Sequence, residues 1–329
     1  MWLRSQVRRA TDHVLPGVWG AGRWVRGRMI PAVTAWGSPG KQRVLVVAPH
    51  PDDEVAGCGG TIILHVRAGD QVTVLHVTDG RRSRALGLGP EAMARRRHQE
   101  ARESLAALGV ERWTWLGLPG EWTDRDFVVA LERLLPQVRP HVIYLPSRID
   151  FHPEHYRVAR AAAPVVRRLG GESIAVRVYQ VQVPLTRVLV NLVAPIEAAV
   201  PDVLRAYGRY VSQAGSLRST LRMKAYAARS HGLAGMAEEF WEMSGAAYAA
   251  LHAQEPARAL VDTFRGLRLP ALTDPLGFLR GRRERRRLLR LATVAEDAST
   301  HAMSATAPQA HTRRRARAGG TEAGADEQP

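Results

Sequence analysis

Four short runs rich in aliphatic and β-branched residues, at 43–48, 71–77, 113–116 and 141–146, are each followed by a helical stretch. Those stretches fall near 57–68, 90–108 and 124–138, and from Pro153 onward. Strands that alternate with helices in this way predict a mostly parallel sheet covered on both faces, a Rossmann-like α/β architecture. Further along, 174–183 and 187–193 read as two successive strands separated by Pro184-Leu185-Thr186. Such a pair predicts an antiparallel extension of the sheet. Helices are expected after it at 196–213, 216–230 and 235–252.

The residues with the most chemistry stand at the ends of the first and fourth strands. His50-Pro51-Asp52-Asp53-Glu54 follows one, and His152-Pro153-Glu154-His155 follows the other. Open α/β sheets bind ligands outside the carboxyl ends of their strands, so both clusters should emerge on one edge. Two histidines and a carboxylate from separate strand ends can make a three-ligand metal site with one position left open. That is the catalytic arrangement for zinc, whereas structural zinc sites are closed and cysteine-rich. Either cluster alone could be a solvated turn, since Pro and Asp favour turns; two clusters at two strand ends favour a metal. Adjacent carboxylates in an irregular turn can point different ways, so one can ligate while its neighbour faces water.

The segment Val46–Glu54, VVAPHPDDE, resembles the signature of the PIG-L/LmbE-like zinc deacetylases, which act on N-acetylated amino sugars. Asp150-Phe151-His152-Pro153-Glu154-His155 is similar to that family's second motif, with Glu154 where Asp is usual. Weaker echoes are Thr78-Asp79-Gly80, Arg97 with Glu100, Ser212-Gln213 and Ala237-Glu238-Glu239-Phe240. The resemblance implies His50, Asp53 and His155 as metal ligands, and Asp52 as general base on the activated water. It implies zinc as the cofactor, although iron(II) accepts the same ligands. His152, three residues before His155 at a helix start, can lie beside the metal without ligating it. As an imidazolium it would stabilise the oxyanion or protonate the amine. Asp150 is either the group that orients His152 or a plain turn residue. Glu54 reads as complementing the following helix N-terminus. Arg81 and Arg82, with Arg84 on the same edge, are candidate contacts for an anionic group on an amino-sugar conjugate. The departure at Glu154 puts second-shell geometry in question before activity. Trp113, Trp115 and Trp122 are core residues by default, with stacking on a sugar ring as the alternative.

Charge and cysteine bound the remaining possibilities. The net charge of +16 is uneven: 1–41 and 280–290 each contribute +6. Residues 1–41 also carry four of the eight tryptophans, Trp2, Trp19, Trp24 and Trp36. Tryptophan interleaved with arginine suits an anionic membrane surface, or an arm packed on its own domain. No apolar run is long enough to span a membrane, and arginines interrupt every candidate hydrophobic region near the N-terminus. With Cys58 as its one cysteine, the chain is expected in the cytoplasm, peripheral at the inner membrane face. Cys58 itself reads as a small buried residue. The organisation expected is an arm at 1–41, a catalytic domain at 42–255, a basic helical extension at 256–292 and a disordered tail at 293–329. A natural-product N-acyl amide is a second substrate reading. A basic protein that binds nucleic acid or membrane around a vestigial pocket is the reading of a different class. It needs a broken ligand set; the set is intact, which argues against nucleic acid as a partner. The oligomeric state is not legible.

Overall fold

The structure, a computed structural model, describes residues 33–150, 152–169, 171–253 and 275–306. Trp2, Trp19, Trp24 and the arginines among them lie outside the described residues, as does the run 313–317.

The centre of the molecule is β2 (Arg43–Ala48), whose side chains are buried on both faces. Val44 and Val46 face a core shared with α1 (Asp53–Arg67) and α2 (Pro90–Leu108). Leu45 and Val47 face a second core, shared with α3 (Asp124–Val138) and α4 (Pro153–Leu169). A strand covered by helices on both sides reads as a continuous apolar run because neither face meets water. Its neighbours are β3 (Gln71–Thr78) and β5 (Val142–Pro146), both parallel to it. Beyond β3 lies β4 (Arg112–Leu118), a half-buried edge strand. Beyond β5 lie β6 (Ala175–Tyr179), β8 (Ala237–Ser244), β7 (Leu192–Pro195) and β1 (Thr34–Ala35), which completes an eight-stranded sheet. From β2 the chain runs outward through β3 and β4, then returns to the opposite side of β2 with β5. The crevice at the carboxyl ends of β2 and β5 is therefore the topological switch point of the sheet.

Four expectations are corrected. The antiparallel extension exists, but the runs 174–183 and 187–193 do not pair with each other. Part of the second is a short helix, α5 (Thr186–Leu189), and β8 lies between β6 and β7, antiparallel to both. The helix expected at 235–252 is therefore strand β8 followed by α8 (Gly245–Ala253). Its three glutamates read as helix formers, yet Glu238 and Glu239 are buried and hydrogen-bonded, and tertiary partners override propensity. The region 196–213 holds only α6 (Val200–Tyr207) and two 3-10 turns, before α7 (Leu217–Ser230). Finally, α1 begins at Asp53, not after Gly57. The glycines are helical because the helix is approached closely there. A Cβ at Gly57 would overlap the Tyr179 ring, and one at Gly60 would come within 2.6 Å of Ile196.

The C-terminal basic helix, α9 (Pro275–Thr306), runs past the expected boundary at 292, so the tail read as disordered is helical as far as Thr306. Residues 307–329 lie outside the described residues. The helix is no appendage, because Leu288 and Ala292 are buried in the same core as α4 and α8. Leu289 and Leu291 pack against that core as well, so they are not free to meet a membrane. Of the arm at the other end, Trp36 is packed on the domain: its indole donates to Tyr144 Oη at 3.3 Å.

Candidate metal centre

Beyond β2 the chain turns through Pro49-His50-Pro51, and Asp52 immediately precedes α1. Asp52 has φ 117°, a region that side chains rarely adopt, at a typical cost of about 1–3 kcal/mol. Surrounding bonds hold it there. Its N–H donates to Glu54 Oε2 at 3.0 Å, and Arg97 Nη2 donates to its Oδ1 at 2.9 Å. Asp52 is thus off the helix and Asp53 on it, so the adjacent carboxylates diverge as the turn reading expected. Asp53 Oδ2 faces two histidines instead.

His50 Nδ1, Asp53 Oδ2 and His155 Nε2 form a nearly equilateral triangle. The distances are 3.1 Å from His50 to Asp53, 3.0 Å from His155 to Asp53, and 3.2 Å between the two imidazoles. A tetrahedral ion with ligands at about 2.0–2.1 Å would separate them by about 3.3 Å. Two imidazole nitrogens and one carboxylate oxygen can therefore close on a divalent cation with little movement. His152 also offers a ring nitrogen within 4.8 Å of those of His50 and His155. Its ring stacks edge-on against His50 with centroids 4.4 Å apart.

The groups behind the triangle orient it. Glu154 Oε2 bonds His50 Nε2, the carboxylate–histidine pairing that fixes a ligand's tautomer and ring plane. The Glu at position 154 is long enough to reach His50. Asp150 corrects an expectation: its partner is His155 rather than His152. Its Oδ2 lies 3.3 Å from His155 Nδ1, within ion-pair range though off the line of a hydrogen bond, and accepts from Gln182 N at 3.1 Å. Toward His152 it accepts only the backbone N–H, at 3.2 Å.

Electrostatics divides the site into two halves. Burial pushes the Asp52 carboxyl up, and Asp53 and Glu54 add to this; Arg97 opposes them, leaving Asp52 at about 6. That suits a general base, whose pKa should lie near the working pH. Burial also opposes ionisation of Asp53, but His155 and His50 hold its carboxyl well below the usual range. Burial would lower the His155 imidazole, yet Asp53 and Asp150 raise it well above 6.5. His155 therefore keeps a proton beside the Asp53 carboxylate, and a divalent cation would replace that proton, since imidazole ligates in its neutral form. His152 differs. Burial, then His50 and His155, lower it to about 4, so its ring is neutral near pH 7. The expected imidazolium is not found; a neutral ring still offers one N–H donor.

A cavity of about 730 Å³ opens over this group, with His50, Asp52, Asp53, His152 and His155 on its floor. Arg81 and Arg82 both line it. Arg81 is engaged by Asp79, with Nε 2.6 Å from Oδ2. Arg82 is largely exposed, donating to Gly120 O at 3.2 Å with Glu154 3.7 Å away. None of Trp113, Trp115 and Trp122 lines the cavity, so none stacks on a ligand from its wall. Glu54 is fully buried and bonded to Tyr210 Oη at 2.6 Å and His76 Nε2 at 3.0 Å, which makes it an interior clamp rather than a free helix-end charge. Cys58 is buried too, and burial pushes its thiol up, as a small core residue requires.

Three positioning residues escaped the reading of the sequence as having any role. Arg97 holds Asp52 and also donates to Pro51 O and Ser212 Oγ. Lys224 Nζ takes the Ala56 carbonyl at 2.9 Å and pairs with Glu238, whose carboxylate accepts from Gly60 N and Thr61 N. Ala56 O and Gly60 N would pair with each other in a regular helix, so this buried ion pair is set into the α1 backbone, one turn from Asp53. Arg285, buried on α9, donates to Pro184 O at 2.5 Å in the loop whose Gln182 N–H holds Asp150. Arg97 and Glu238 belonged to the weak motif echoes. Nothing in the sequence marked Lys224 or Arg285.

A Rossmann-like sheet with a His/Asp/His group at its switch point defines an α/β protein with a candidate catalytic metal centre. Residues 45–166 match the family described as PIG-L, GlcNAc-PI de-N-acetylase. Among curated proteins it is 33% identical over 155 residues to a 1D-myo-inositol 2-acetamido-2-deoxy-alpha-D-glucopyranoside deacetylase of Mycobacterium sp. strain KMS. That match spans 38% of this chain and 50% of the relative. It is also 33% identical over 141 residues to a probable N-acetyl-alpha-D-glucosaminyl L-malate deacetylase 2 of Bacillus cereus, covering 40% of this chain and 64% of that one. The chain thus spans about half to two thirds of the length of these relatives. Among solved structures, a conserved protein of Thermus thermophilus aligns with TM-score 0.52 and 28% identity, over 60% of this chain and 93% of that one.

Proposed function

We propose that the chain is a metal-dependent hydrolase that removes the acetyl group from an N-acetylated amino-sugar conjugate, with zinc in the His50–Asp53–His155 triangle. The observation that carries this reading is the triangle itself, 3.0–3.2 Å on each edge, with a separately anchored Asp52 beside it. A zinc ion bound there would acidify a water molecule and polarise the amide carbonyl. Asp52 accepts the proton of the attacking water, and Arg97 keeps that carboxylate ionised and aimed. His152, neutral, donates a hydrogen bond to the oxyanion that develops on the substrate. The proton taken by Asp52 returns to the departing amine.

The curated relatives are named as deacetylases of glucosaminyl conjugates, which supports an amino sugar as substrate. A cavity of about 730 Å³ has the size of a small-molecule site, and Gln213, Ser216 and Thr220 give it hydroxyl and amide groups suited to a polyol. Of the three cavity arginines, Arg81, Arg82 and Arg97, Arg82 is the freest, and we assign it to an anionic group on the conjugate. We place the protein in the cytoplasm at an anionic membrane face. No helix among the described residues is long and apolar enough to cross a membrane. Arg283, Arg286 and Arg290 form an exposed basic stripe on α9, which supports an anionic partner. The test is a deacetylation assay over a panel of N-acetylglucosaminyl conjugates, with and without chelator, beside metal analysis of Ala variants at 50, 53 and 155. Full metal content in His155→Ala would sink the ligand assignment, and activity that survives chelation would sink the metal.

A further inference from the structure

Two short turns border the mouth of the cavity. Ala85–Gly87 follows Arg81, Arg82 and Ser83 of the cavity wall, and Val211–Gln213 ends on Gln213, which also lines it. The turns pack against each other, tied by Gln213 Nε2 donating to Ser83 Oγ at 3.0 Å. Together they leave Leu86 53%, Leu88 40% and Val211 49% exposed. Single exposed aliphatic residues are ordinary on a protein surface; a group of them on one rim is not. The other strongly exposed aliphatic residues among those described, Val129, Leu169, Leu204 and Val294, fall on four different helices. Leu86 also has φ 62°, a left-handed conformation unfavourable for a bulky side chain, at the residue that gains least from burial.

The same rim is basic. Arg84 and Arg209 are exposed beside these side chains, and neither has an acidic partner among the described residues. Isolated aliphatic tips set among guanidinium groups are what a protein presents to an anionic lipid surface. The tips enter the acyl boundary and the arginines stay at phosphate depth. A protein partner would more often be met by aromatic anchors, and the rim has none. On α9, Leu288, Leu289 and Leu291 already pack on the core.

We propose that the cavity mouth, through Leu86, Leu88 and Val211 with Arg84 and Arg209, docks on an anionic lipid surface. The active-site opening then faces the headgroup layer. Only the meaning of that orientation rests on the proposed deacetylase activity; the docking does not.

The experiment is co-sedimentation of the full chain with phosphatidylcholine vesicles, with and without phosphatidylglycerol. The variant combines Leu86→Ser, Leu88→Ser and Val211→Ser, and a second variant carries Gln at Arg283, Arg286 and Arg290. The wild type should bind only the anionic vesicles, less at high salt, and the triple Ser variant should lose about tenfold or more in partition. The Gln variant should lose less. His155→Ala should bind vesicles like the wild type, which separates docking from catalysis. On a soluble N-acetylglucosaminyl conjugate the triple Ser variant should keep its kcat/KM, which also shows that it is folded. Four results would each overturn the proposal: no binding by the wild type; equal binding by the triple Ser variant; a matching fall in its kcat/KM, which would make the rim a substrate contact; or a wild-type dimer that the variant dissociates, which would make it a self-interface.

Discussion

Replacing Arg97 by Met removes the cation 2.9 Å from Asp52 and leaves the triangle untouched. Asp52 stands at about 6 because burial, Asp53 and Glu54 raise it and Arg97 holds it down. A carboxylate beside an arginine is typically lowered by roughly 1–3 units, so losing Arg97 should move Asp52 to between about 7 and 9. Asp52 works as the ionised base, so activity rises with pH through its pKa, and a raised pKa shifts the acid limb to higher pH. At pH 7 the wild-type group would be about nine-tenths ionised and the variant's between about a half and a hundredth, a loss of roughly two- to ninetyfold. The two proteins should converge above about pH 10. The assay is kcat/KM against pH for both, loaded with the same metal, so that the difference isolates Arg97. Arg97→Lys keeps the charge and should keep its limb near that of the wild type. A loss that is uniform across pH, with the limb unmoved, would refute the electrostatic role and leave Arg97 a packing residue.

Asp52→Asn should retain metal and lose about 10²–10⁴-fold in rate; near-normal turnover would show that another group takes the proton. Glu154→Gln should weaken metal affinity by about 10–100-fold in a chelator competition, because His50 loses its carboxylate partner; unchanged affinity would dismiss that pairing. Arg285→Met should lower kcat and alter the visible spectrum of the cobalt-substituted protein, with partial rescue in Arg285→Lys. An unaltered spectrum would show that the 180–185 loop does not transmit to His155. Leu288→Ala should lower stability by about 2–5 kcal/mol in urea titration, and a change under about 0.5 kcal/mol would mean that α9 is only loosely attached.

The clusters at 50–54 and 152–155 were legible because strand periodicity placed both at carboxyl ends of one sheet, and sheet geometry makes that edge common ground. The apolar strands β2, β3 and β5 were legible for the same reason: strands buried on both faces have no polar alternation to confuse them. The sequence also supplied the two imidazoles and the carboxylate that the fold brings within about 3 Å of one another. It did not carry pairings that depend on long-range approach. Asp150 reaches His155 rather than His152 because the loop after β5 and the start of α4 set its direction, which spacing alone leaves open. Strand β8 was hidden because its buried glutamates are stable only with donors from other elements: Gly60, Thr61 and Lys224 for Glu238, and Gln180 and His231 for Glu239. The charge of α9 read as an extension because arginine usually stays in water. Only packing revealed that one face of that helix, with Leu288 and Arg285, closes the core and braces a loop of the site. Local pattern determined the sheet and the reactive side chains; their protonation and aim came from neighbours that only the folded chain brings within a few ångströms.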